Sequence, residues 1–135
     1  MDNVDKRMSV RLTHHTGSDV AIFLEKNFKN KSRGVNEILD KYLELRKVAM
    51  GQMKGMFSRE EINAMIEAVE GVEVNNLWVG NNLLLTTVQK AALGKNWDID
   101  TPSLIDRLKA LNNFQAFFLS TWLKNVQGED IKELL

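Results

Sequence analysis

Residues Lys6 to Thr13, KRMSVRLT, alternate basic or polar Arg7, Ser9 and Arg11 with apolar Met8, Val10 and Leu12. In an extended chain a period of two sends these sets to opposite faces, so that one packs while the other faces outward. A lone strand does not hold together in water, and no other stretch within residues 1–50 alternates in this way. The expected partner is the same strand of a second copy. Taken by itself, the run also fits an edge strand whose basic residues discourage aggregation, and the elements that follow decide between the two.

Gly17, Ser18 and Asp19 are turn and helix-cap residues, and Val20, Phe23, Leu24, Asn27 and Phe28 recur at the spacing of one buried helical face, with Asn27 the polar exception. A first helix is expected from about Ser18 to Phe28. The polar, basic stretch Lys29 to Gly34 leads into a second apolar series, Val35, Ile38, Leu39, Tyr42, Leu43 and Leu45, predicting a second helix to about Met50. Two antiparallel copies of the strand would form a ribbon narrow enough for the major groove of B-DNA, with Arg7, Ser9 and Arg11 of each copy against base edges.

This order of strand, helix, basic turn and helix resembles the ribbon-helix-helix family of DNA-binding proteins, the group of the Arc and MetJ repressors. The resemblance covers roughly Lys6 to Lys47 and rests on MSVRLT, on KSRGVNEIL opening the second helix, and on the spacing between them. It implies an obligate dimer whose paired strands read bases while the second helix's N-terminus holds a phosphate through free backbone N–H groups. By position, it implies base-reading roles for Arg7, Ser9 and Arg11, and phosphate-binding roles for Lys31, Ser32 and Arg33. The segment between strand and first helix, THHTGSD, departs from the family's usual short, proline-containing turn.

Composition is that of an ordinary globular protein, with 44% apolar and 27% charged residues in a chain of 135. No apolar run approaches the length of a membrane span, the start MDNVDKR is not a secretion signal, and the absence of cysteine excludes disulfides and thiolate metal sites. A cytoplasmic protein with no membrane association is expected. The net charge of zero conceals an asymmetry: residues 1–54 hold 11 Lys and Arg against 7 Asp and Glu, and residues 55–135 hold 7 against 11. The basic excess sits with the expected DNA-facing elements.

Gly51 to Gly55, with two glycines in five residues, predicts a break, and the methionines Met50, Met53 and Met56 around it suit a junction between elements. Beyond it, Ser58 and Glu61 have the spacing of a capping box, with Phe57 and Ile62 placed as a hydrophobic staple. This third helix carries Ile62, Met65, Ile66 and Val69 inward. Val72 to Asn82 is expected to be an ordered connection anchored by Trp78. Leu83 to Leu93 predicts a fourth helix, Thr101 and Pro102 cap a fifth through Leu104, Ile105 and Leu108, and a sixth runs from Phe114 to about Gln127, with Trp97 anchoring the connection before the fifth. The expected fold is mainly α: an N-terminal ribbon-helix-helix with one strand pairing across a dimer, then a compact four-helix C-terminal domain. Its domains are residues 1–50 for DNA binding and dimerisation, 51–57 as linker, and 58–135 for protein interaction.

Candidate chemistry fails on residue spacing. His14 and His15 are adjacent in an expected turn, where side chains diverge, and the chain has no further His and no Cys to complete a metal site. Asp98 and Asp100 begin a calcium-loop pattern, but its sixth position is Ser103 and its twelfth Lys109, where glycine and glutamate are required. Glu60, Glu61, Glu67, Glu70 and Glu73 have the spacing of a solvated face and no accompanying nucleophile or phosphate loop. No enzyme, cofactor or metal is expected. The expected function is a sequence-specific transcriptional repressor that binds double-stranded DNA as a homodimer or higher oligomer, with a protein partner for its C-terminal domain. An autorepressing antitoxin, a plasmid partition or transfer accessory protein, and a dimeric adaptor without a DNA role are the alternatives.

Overall fold

The computed structural model describes residues 14–70, 72, 81–126 and 128–135. Within them lie six α-helices: α1 (His14–Asn27), α2 (Lys31–Met53), α3 (Arg59–Val69), α4 (Asn81–Gly94), α5 (Thr101–Lys109) and α6 (Asn113–Asn125), followed by a 3-10 turn at Gly128–Glu133. The chain divides into two compact units, up to Leu43 and from Glu44 onward, so that the division falls within α2.

The expected fold class has to be corrected. Among the described residues there is no strand, so mainly α holds while the ribbon of a ribbon-helix-helix is not seen; Lys6 to Thr13, on which it depended, lie outside the described residues. The first helix also starts four residues before Ser18, at His14, and takes in most of the expected turn THHTGSD. Gly17 costs about 1 kcal/mol inside a helix relative to alanine, but the segment has no proline, and only a proline would both remove a backbone donor and clash with the preceding turn. Helix formation is cooperative once nucleated, and the polar residues do not stop it.

In the first unit, α1 packs its Leu24 inward and ends in a turn whose last carbonyls are satisfied locally: Phe28 N–H donates to Leu24 O (2.9 Å) and Asn27 Nδ2 to Phe23 O (2.8 Å). The side chain of Asn27, the polar exception on the apolar face, thus turns back onto the preceding turn of its own helix. Side chains of the first helix and the link approach the α2 backbone closely at Gly34. A Cβ added at Gly34 would lie 2.7 Å from Phe28 Cγ and 3.1 Å from Leu24 Cδ2, so the side chains at the end of α1 rest directly on the α2 backbone.

The second unit has a closed core. Ala49, Met50 and Met53 from the end of α2 are buried with Ile62, Met65 and Val69 of α3, Leu84 and Val88 of α4, Leu104 and Leu108 of α5, and Leu119 and Leu123 of α6. Helix α4 packs on α3, α5 and α6, and α3 also packs on α6. The chain leaves α2 through Gly55 at φ +79°, a left-handed conformation suited to glycine, whose N–H donates to Leu134 O at 2.9 Å. Ile131 and Leu134 are buried, and Glu133 accepts from Arg46 (2.7 Å) and from Trp122 Nε1 (3.2 Å), so the last residues tie α2 to α6.

Candidate nucleic-acid interface

Asn30 caps α2: its side-chain Oδ1 accepts from Arg33 N–H at 3.1 Å and its carbonyl from Gly34 N–H at 2.9 Å. Lys31, Ser32 and Arg33 therefore occupy the first turn of a 23-residue helix, all exposed, where the helix dipole favours an anion. The predicted phosphate-binding trio is brought to one helix end. Its cations are loosely engaged, Lys31 with Glu25 at 3.7 Å and Arg33 with Glu37 at 3.8 Å, with side chains more than half exposed. Such surface pairs are worth about 0 to 1 kcal/mol, so a phosphate can displace them. The base-reading trio, Arg7, Ser9 and Arg11, lies outside the described residues.

Beside this turn is a feature that periodicity misread. Phe23, Ile38, Leu39 and Leu43, assigned to buried faces, are 40 to 60% exposed in a single copy, as is Ile22. Helical spacing marks a face as apolar without saying whether its own chain covers it. Phe23 and Phe28 stack edge to face at 6.2 Å, leaving the outer side of Phe23 in solvent.

Several carboxylates of the second unit, Glu61, Glu67, Asp100 and Glu133, are engaged in structure. Glu61 completes the capping box with Ser58 and accepts from Arg107 Nη1 at 2.8 Å and from Nη2, while Arg107 Nη1 also reaches Met56 O at 2.6 Å and the guanidinium lies 5.5 Å from the Phe57 ring centre. Hydrogen bonding to Arg107 holds the Glu61 carboxyl below its ordinary range in spite of burial. Glu67 is held down by Lys95 (2.9 Å) and by Trp97 Nε1 (3.0 Å), which gives Trp97 its anchoring contact. Asp100 is the N-cap of α5, accepting from Ser103 N–H at 3.2 Å. Among the described residues no group of three or more His, Asp or Glu side chains could hold a metal ion, and no helix is long and apolar enough to cross a membrane.

Comparison with protein-family models, with curated proteins and with solved structures returned no match.

Proposed function

We propose that the chain is a dimeric, sequence-specific DNA-binding protein acting as a transcriptional repressor by occupying its site. The observation that carries this reading is the first turn of α2, where Lys31, Ser32 and Arg33 stand exposed at a capped helix N-terminus within the basic part of the chain. Between Lys6 and Arg33 there are seven basic residues against two acidic. Phosphates are held there, and Arg7, Ser9 and Arg11 are the base-contacting candidates by sequence. The exposed apolar side chains of α1 and α2 support the dimer, since Phe23, Ile38, Leu39 and Leu43 would be covered by a second copy. An autorepressing antitoxin or a plasmid accessory protein would use the same contacts.

The apolar face alone favours a second reading, a dimeric adaptor with no DNA role. Selection of bound duplexes from random DNA with the full-length protein, repeated at several salt concentrations, separates the two. A DNA-binding protein enriches a sequence and loses affinity with a log–log salt slope of roughly −0.9 per phosphate contact. Absence of retention on any duplex at low salt overturns the proposal and leaves the adaptor.

A further inference from the structure

We draw no further inference here: the strongest candidate, the surface patch of exposed Leu45 and Val48 on α2 and Phe114 at the start of α6, where Gln115 Nε2 donates to Gln52 Oε1 at 3.0 Å, is an unpartnered apolar face, and nothing in the structure shows what covers it.

Discussion

The two units differ in how much of their apolar surface they close: the second has a buried core although it also exposes Leu45, Val48, Leu93 and Phe114, while the described part of the first buries only Leu24. In the second, the inward faces of α3 to α6 are closed over one another, and every buried side-chain polar atom among the described residues has a partner. In the first, helices of comparable apolar content leave Ile22, Phe23, Ile38, Leu39 and Leu43 half in solvent. The exposed side chains of the first unit amount to several kcal/mol of unrealised burial at about 1.5 to 3 kcal/mol per large apolar side chain. The second unit closes a core on its own chain, whereas the first has no comparable core among the described residues.

The largest effect is expected in the second unit. Arg107→Ala leaves the Glu61 carboxylate, whose side chain is 10% exposed, without its main partner and also removes the Nη1 donor to Met56 O. Breaking a buried pair costs about 3 to 5 kcal/mol, and the partial exposure of Arg107 places this variant near 3. Denaturant unfolding of the full chain reads it, and a change under 1 kcal/mol would mean that the hub is ornamental. The same pairs set the acid response. Glu61 and Glu133 titrate below the ordinary 4.5 because of Arg107 and Arg46, so their contribution is complete above that value and is lost as pH falls below it towards their folded-state values. Melting followed from pH 6 to pH 3 should fall less steeply for Glu61→Gln than for the parent.

The comparison breaks if the first unit's apolar face is satisfied by water. Leu43→Asp places a charge where Leu43 is 60% exposed in one copy. If a second copy covers it, the substitution should cost about 2 kcal/mol of assembly free energy, shift sedimentation towards monomer, and reduce the dependence of melting on protein concentration. An exposed residue with no partner tolerates the change within about 0.5 kcal/mol, and that outcome with an unchanged sedimentation profile would end the dimer proposal.

What could be read from the sequence follows the same division. The start of α3 was legible, because Ser58 and Glu61 form a capping box in which each side chain meets the other's backbone N–H. The four C-terminal helices were legible too, since each stripe closes against its own chain, although Asp100 caps α5 instead of Thr101. Legibility failed at THHTGSD, where turn-forming residues without a proline were drawn into α1, and at Phe23 and Leu43, whose spacing is helical but which their own chain leaves exposed. The hub of Arg107 had no local signal, since Glu61 lies 46 residues away.

A smaller effect tests the joint within the first unit. Gly34→Ala gains up to about 1 kcal/mol of helix propensity and sets a methyl group against the Phe28 ring at 2.7 Å, where the ring must shift. The net expectation is a loss of about 1 kcal/mol, from overpacking that exceeds the propensity gain. In a Phe28→Ala background, which removes the obstructing ring, Gly34→Ala should become neutral or stabilising. Equal effects in both backgrounds would show that the contact does not limit the turn.

The smallest stability effect belongs to the residues assigned the most function. Lys31 and Arg33 are exposed and engage their glutamates only at 3.7 and 3.8 Å, so Lys31→Ala and Arg33→Ala should change melting by less than about 0.5 kcal/mol. On DNA each should weaken cognate and scrambled duplexes by similar factors and flatten the salt slope by roughly one, because a phosphate contact carries no sequence information. Arg11→Ala differs in kind: a lost bidentate base contact costs about 1 to 3 kcal/mol on the cognate site and little on scrambled DNA. Titrating the three variants against both duplexes at several salt concentrations, with melting followed alongside, tests the two roles separately. Equal losses on both duplexes for Arg11→Ala would move Arg11 to phosphate contact, and unchanged salt slopes for the other two would remove the first turn of α2 from the interface. If all three left both affinity and salt slope intact, the basic end of the first unit would be only a solvated surface, and the DNA-binding proposal would fall.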